Sequence, residues 1–350
     1  MREIKEICIC RIDKIGDLIM TTPILRSIRK EFPNSKITLL VSPINSKVLK
    51  ESELIDEMIV IDKKNKLWKN DEILKKIRKR SFDLFVNFSP TNLSYFLCFF
   101  SNSKNKSTLI LKSRYKNKFS KIFIHFLSKI FCNHIILVNR NKLFKNNLDF
   151  HQTKMMYALI EKTFNRSFNY ENLEIPILPN TKIKLNYLSK KIITLHLSNR
   201  WLNKYYTLEN LKILIENINL NQDYLIFLTT EKYEDKNFYK LTNNYNKLQI
   251  LDFVNLEQFN KKISKTNIFV LDYFKYEDWL YIINNSDRII TPEGGCVHVA
   301  AGLNKYVTVI YDNDNLPEYI YTEYMPWKTK HQKLVFGINE INKEILTDLN

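Results

Sequence analysis

Small residues are scarce in this chain, and their scarcity makes one segment decisive. Only five of the 350 residues are Gly and three are Ala, yet three of those Gly and two of those Ala fall within Thr291-Pro-Glu-Gly-Gly-Cys-Val-His-Val-Ala-Ala-Gly302. An apolar run, Asp287 to Ile290, precedes the segment and reads as a buried strand; a helical pattern and a second apolar run, Val307 to Tyr311, follow it. A strand that turns through a Gly pair into a helix aims several backbone N–H groups, and the positive end of the helix dipole, at one point. That point suits an anion such as a diphosphate. A tight turn that simply needs Gly for positive φ is the plainer reading. The clustering, and His298 just inside the helix, favour an anion site.

The rest of the chain repeats the same grammar. Strands are expected at Ile4 to Cys10, Lys36 to Val41, Met58 to Ile61 and Phe82 to Phe88, with shorter ones at Leu109 to Leu111 and Ile135 to Val138. Between them, a loop at 11–17 leads to a helix that starts near Asp17 or is capped by Thr22, with Pro23 at the first helical position. Further helices are expected at Asp71 to Arg80 and Asp149 to Lys162. From Asn165 to Lys190 the periodicity fades around Pro176 and Pro179. A second series starts at Ile192, with strands at Ile193 to Leu197 and Tyr224 to Thr229 and helices at Thr207 to Ile218, Glu234 to Asn244 and Tyr276 to Asn285. Strand–helix alternation with short links predicts mostly parallel sheets covered on both faces. The expected domains are 1–165 and 191–335, joined by a connection at 166–190 and followed by a helical tail at 336–350.

The formal net charge is +17, which points to anionic partners. The sixty-five residues from Leu84 to Leu148 hold eleven Lys or Arg and no Asp or Glu. Within them, Phe119, Ile122, Phe123, Phe126, Leu127, Ile130 and Phe131 share one helical face. That face either rests on an anionic inner-membrane surface or packs in the first domain. Nucleic acid is not expected, because no recognition motif accompanies the charge. The five Cys are scattered without a Cys-x-x-Cys pair, so they read as free thiols, Cys8 and Cys10 as small core residues. No apolar stretch reaches the ~18 residues of a membrane span, and the acid-bearing first residues do not read as a signal peptide. Asp312-Asn313-Asp314 reads as a turn rather than a metal-binding Asp-x-Asp.

Three segments carry a family pattern. The first is Arg11-Ile-Asp-Lys-Ile-Gly16-Asp17 with Thr21-Thr22-Pro23; the second is His196-Leu-Ser198-Asn-Arg200-Trp201-Leu-Asn-Lys204; the third runs from Ser286 through Glu293-Gly294-Gly295 to His298-Val-Ala-Ala301. Together, and in this order over most of the chain, they resemble glycosyltransferase family 9, the lipopolysaccharide heptosyltransferases. The resemblance implies an α/β chain of GT-B fold, with two Rossmann-like domains facing a central cleft. The first would hold the acceptor and the second the nucleotide sugar. It implies an inverting transfer of heptose from ADP-heptose to the lipid A-linked inner core, with no cofactor or metal required. The enzyme would work in the cytoplasm, peripherally on the inner membrane. Relatives using another nucleotide sugar, or a catalytically silent binder of anionic glycolipid or nucleotide, remain alternatives.

The resemblance also assigns roles. Asp17 would be the general base that takes the acceptor hydroxyl proton; a helix cap is its plainer reading. Lys204 would neutralise the diphosphate leaving group. Arg11, Gly16, Ser198, Arg200, Glu293 and His298 would contact substrate, and Gly294 and Gly295 would offer backbone N–H groups to phosphate oxygens. The chain departs from the pattern at one point. Where the family has Asp-Thr-Gly or Asp-Ser-Gly, Glu293-Gly294-Gly295 keeps the carboxylate on a longer arm and loses the hydroxyl.

Overall fold

The computed structural model of the chain describes residues 4–62, 71–112, 118–176, 185, 189–231, 234–249, 252–253, 255–271 and 273–349, without the side chains of 71, 118–121, 204, 205, 256 and 315. The chain divides into two compact units. Met1–Pro176 with Thr322–Trp327 form the first, and Ile177–Tyr321 with Lys328–Asn350 the second.

In the first unit the strands are β1 (Glu6–Cys10), β2 (Lys36–Val41), β3 (Glu57–Val60), β4 (Phe82–Asn87), β5 (Ser103–Leu111) and β6 (His134–Val138). They form a six-stranded sheet in the order β3-β2-β1-β4-β5-β6, and every neighbouring pair is parallel. Parallel strands covered on both faces need apolar side chains in both directions. Strand β1 obeys: Cys8 and Cys10 enter one core with Ile12, Leu40 and Phe85, and Ile7 and Ile9 are buried as well. Burial pushes the Cys8 and Cys10 thiols well above their usual pKa, so they are packing groups. The helices are α1 (Ile15–Ile19), α2 (Thr22–Glu31), α3 (Asp71–Arg78), α4 (Asn92–Phe100), α5 (Lys118–Phe131), α6 (Arg140–Lys145) and α7 (Gln152–Phe164).

Two expectations are corrected here. Residues 11–17 are not all loop, because α1 begins at Ile15 and contains Asp17. Thr21, not Thr22, stands at the N-cap of α2, and its hydroxyl turns back to the Asp17 carbonyl at 2.9 Å. Part of the expected connection also packs on this unit. Asn165, in the left-handed conformation, ends α7. Tyr170 then stacks on Tyr157 at 4.4 Å, and Glu171 and Glu174 pair with Lys30 and Arg26.

The second unit has β7 (Lys191–His196), β8 (Tyr224–Thr229), β9 (Asn246–Leu248), β10 (Ile268–Leu271), β11 (Arg288–Pro292), β12 (Val307–Asp312) and β13 (His331–Phe336). Their order is β13-β12-β11-β7-β8-β10-β9, again with every neighbouring pair parallel. The helices are α8 (Leu208–Asn219), α9 (Lys236–Thr242), α10 (Leu256–Ile263), α11 (Tyr276–Asn285), α12 (Gly295–Gly302), α13 (Pro317–Tyr324), whose residues from Thr322 on belong to the first unit, and α14 (Ile341–Leu349). The tail helix is shorter than expected because β13 ends at Phe336 and a turn through Gly337, at φ 86°, follows it; Ile341 and Ile345 anchor the helix in the core beside Leu211 and Leu214.

Both sheets therefore run outward in two directions from a first strand. The strand order reverses between β1 and β4 in one unit and between β7 and β11 in the other. In open parallel sheets the crevice beyond the carboxyl ends at such a reversal is where ligands bind. The Asp312 carboxylate accepts from the Asp314 N–H at 3.1 Å, so Asp312-Asn-Asp314 closes a turn.

Candidate active site

In the first unit the chain leaves β1 as Arg11-Ile12-Asp13. The Arg11 side chain is only 2% exposed. A buried guanidinium must find acceptors for its donors, and this one finds them across the sheet reversal. Its Nη1 donates to the Phe88 carbonyl beyond β4 at 2.5 Å, and the same atom lies 3.4 Å from the Asp13 carboxylate. Its Nη2 and Nε donate at 3.1 Å to Asp17, the first to the carboxylate Oδ1 and the second to the backbone carbonyl. Asp17 Oδ2 accepts from the Lys14 N–H at 3.1 Å, which makes Asp17 a helix cap as well as an ion-pair partner.

The carboxylate is thus fixed at both oxygens at the carboxyl edge of β1. Each oxygen can accept one more hydrogen bond, and the side chain keeps 15% exposure. Arg11 was expected to touch substrate. In the structure its Nε, Nη1 and Nη2 all donate inside the unit, and two of these bonds hold Asp17. Gly16 lies inside α1, buried, and its carbonyl accepts from the Met20 N–H at 2.9 Å.

Residues that sequence reading missed complete this end of the unit. The Ser89 hydroxyl donates to Asp13 Oδ2 at 2.7 Å and accepts from the Ile12 N–H at 2.8 Å. The Asn45 amide donates to the Arg11 carbonyl at 2.9 Å. Ser89 lies 76 residues from Asp13 along the chain, so only the placing of β4 beside β1 could have found it. Asp13, two residues after Arg11 at a strand end, was visible.

In the second unit β7 leads through Leu197 to Ser198 and Arg200, then into a π-helical turn, Trp201–Tyr205, anchored by the buried Trp201. Such wide turns recur at functional sites. The backbone of Lys204 belongs to this turn, and its side chain lies outside the described residues. Arg200 reaches across the reversal to the loop after β11. Its Nη1 donates to the Glu293 carbonyl at 2.6 Å and also pairs with the Glu293 carboxylate. The Ser198 hydroxyl oxygen is buried without a hydrogen-bond partner among the described residues, an arrangement that asks for a ligand or water.

Beyond Glu293, Gly294 precedes α12 and Gly295 begins it. A Cβ built on either glycine would meet nothing within 4 Å, so the backbone here faces open space. The first-turn N–H groups of α12 lack intrahelical acceptors, and no acidic side chain occupies that turn. His298, in the fourth position of the helix, is buried. This unit therefore brings Ser198, Arg200, Glu293, Gly294 and Gly295 to the carboxyl ends of two neighbouring strands. His196, at the end of β7, bonds the Thr229 hydroxyl at 3.0 Å, and burial drops its pKa to about 4. Among the described residues no helix is long and apolar enough to cross a membrane.

No protein-family model matches the chain. Over 117 residues it is 28% identical to lipopolysaccharide heptosyltransferase 3 of Escherichia coli, an alignment covering 31% of this chain and about a third (34%) of that protein's length. Its fold matches that of a glycosyl transferase family 9 protein from Veillonella parvula with a TM-score of 0.74 and 17% identity, covering 100% of this chain and 90% of the other. It matches the E. coli heptosyltransferase WaaC, solved with ADP, with a TM-score of 0.68 and 11% identity, covering 99% and 100%. Two parallel Rossmann-like units in one chain are the GT-B organisation, and in sequence over part of its length and in fold over the whole this chain resembles glycosyltransferase family 9, the heptosyltransferases.

Proposed function

We propose that the chain is an inverting glycosyltransferase that moves a heptose from ADP-heptose to a hydroxyl of a lipid A-linked inner-core acceptor, with no metal required. The observation that carries this reading is the open Gly294–Gly295 turn into α12, tied by the Arg200–Glu293 pair to the loop that bears the unpartnered Ser198 hydroxyl. First-turn N–H groups without intrahelical acceptors, a buried hydroxyl and a nearby guanidinium are what a nucleotide diphosphate needs. Glu293 is read here as a clamp on Arg200 rather than as a group that meets the donor, which fits its departure from the family pattern.

In this reading Asp17 accepts the proton of the attacking hydroxyl as the C–O bond forms at the anomeric carbon. The bond to the diphosphate breaks on the opposite face, and Lys204 and the α12 N-terminus take up the charge of the departing ADP. Arg11 and the Lys14 N–H hold the base in place. The test is Asp17→Asn, assayed for ADP release with ADP-heptose and a deacylated inner-core acceptor. Turnover should fall by about 10²- to 10⁴-fold while ADP binding stays within twofold. Full turnover in the variant overturns the role of Asp17. Wild-type protein that is stabilised against heat by ADP-heptose yet never releases ADP would be the silent binder. Stabilisation by a different nucleotide sugar alone would reassign the donor.

A further inference from the structure

The first unit brings two of the chain's five free thiols into contact. Nothing in the sequence pairs them, because Cys98 and Cys132 lie 34 residues apart and share no motif. The fold pairs them through two helices. Helix α4, apolar nearly all round, packs beside α5, whose Ile124, Leu127 and Phe131 join the same core. The Phe99 and Phe131 rings stack at 5.6 Å. Cys98 precedes the first ring within α4, and Cys132 follows the second just past the end of α5. Their sulfurs stand 4.0 Å apart. A disulfide needs about 2 Å, and the remaining gap is one that rotation about a single Cα–Cβ bond spans.

The surroundings favour one order of events. Cys98 is fully buried, and burial, then the bond to Cys132, pushes its thiol well above the usual pKa. Cys132 is 9% exposed, and its N–H closes the last turn of α5 on the Ser128 carbonyl at 2.9 Å. The chain then enters β6, the edge strand of the sheet. Helix ends beside a sheet edge are among the first stretches of backbone to open locally. Lys106, on β5, donates to the Phe99 carbonyl at 2.7 Å, and its charge is felt at both sulfurs. A cation beside a thiol favours the thiolate, which is the reactive form. Cys132 is therefore placed to meet an oxidant first, and Cys98 to resolve the product.

We propose that Cys98 and Cys132 are a peroxide-reactive thiol pair that closes to a disulfide and straps α4 to the end of α5. The proposal does not depend on the glycosyltransferase reading. In the first step the Cys132 thiolate attacks one oxygen of a peroxide and the O–O bond breaks. The other oxygen leaves as hydroxide and takes up the thiol proton as water. The Cys98 sulfur then attacks the Cys132 sulfenic acid, the S–O bond breaks, and the departing hydroxide leaves with the second thiol proton. Two thiols are oxidised, and one hydrogen peroxide is reduced to two waters. The experiment treats the folded full chain with hydrogen peroxide, alkylates it in denaturant and maps the peptides. Three of the five thiols should remain open to alkylation, and a Cys98–Cys132 peptide pair should appear that a thiol reductant removes. Amide hydrogen exchange over 92–100 and 124–132 should slow at least about threefold in the oxidised chain and recover on reduction. Cys132→Ser, near the surface, should abolish both the pair and the slowing, and Lys106→Gln should slow bond formation several-fold. Five alkylated thiols in the treated parent, sulfinic acid at Cys132 without a bond to Cys98, or other pairings in equal yield overturn the proposal. A bond that leaves exchange in both helices unchanged overturns the strap.

Discussion

The two sheet reversals use the same device at different depths. In each unit an Arg just past the first strand crosses to a backbone carbonyl just past the strand on the far side of the reversal: Arg11 to Phe88, Arg200 to Glu293. Arg11 is sealed in and shared among Asp13, Asp17 and a carbonyl. Arg200 keeps 39% of its side chain in water and pairs with one Glu. The contrast suggests a division of labour. The first loop is set before any ligand arrives and holds a carboxylate still, as suits a base that must meet one proton. The second keeps a partly exposed cation beside a helix whose first-turn amides have no intrahelical acceptor, as suits a place where a charged group comes and goes.

The largest effect should come from the buried Arg. Arg11→Met leaves Asp13 and Asp17 facing each other without their cation, and should cost about 3–5 kcal/mol in denaturant unfolding. A loss below about 1 kcal/mol would break the contrast, because it would make Arg11 behave like a surface group.

Acid provides a control that should strike both units. His151 in the first unit and His196 in the second are both held near pKa 4 by burial, against 6.5 in an unfolded chain. Each therefore contributes stability that is complete above pH 6.5 and lost as pH falls toward 4. At about 1.4 kcal/mol per pH unit, the loss approaches roughly 3 kcal/mol per His by pH 4. Melting temperatures recorded from pH 7.5 to 4.5 should drop steadily below pH 6.5; a flat profile would mean that neither ring is buried uncharged.

The smallest effect belongs to the open side. Arg200→Ala should cost no more than about 1 kcal/mol, with melting nearly unchanged and ADP binding weakened. Its ratio to the Arg11 variant is the sharpest measure of the difference between the two reversals.

Much of this was legible because parallel strands buried on both faces write themselves as unbroken apolar runs. Lys36–Val41 and Tyr224–Thr229 were readable to the residue. Helix α4 was not read. Leu93, Tyr95, Phe96, Leu97, Cys98, Phe99 and Phe100 make it apolar nearly all round, so it shows no 3.6-residue period. Strands β9 and β10, of three and four residues, are too short to announce themselves. Of the candidate site, contiguous pieces such as Arg11 to Asp17 and Glu293 to His298 could be read. Ser89, Asn45 and the Phe88 carbonyl come from segments that only strand order brings to Arg11. The burial of Arg11 and its tie to Asp17 were not legible for the same reason, since burial depends on what the sheet places over it.

The last strip of the first unit comes from far down the chain. Trp327 stacks on His151 at 4.8 Å and donates to the Glu171 carbonyl at 2.9 Å, while Glu323, fully buried, takes Arg140 and the Gln152 amide. Cutting the chain after Pro176 to obtain this unit alone would strip away that cap, leaving a guanidinium, an amide and an imidazole suddenly short of company. A faithful excised fragment would have to carry 322–327 back in on a tether. During synthesis, too, this half must wait until Trp327 has been added before its final stitch can be made.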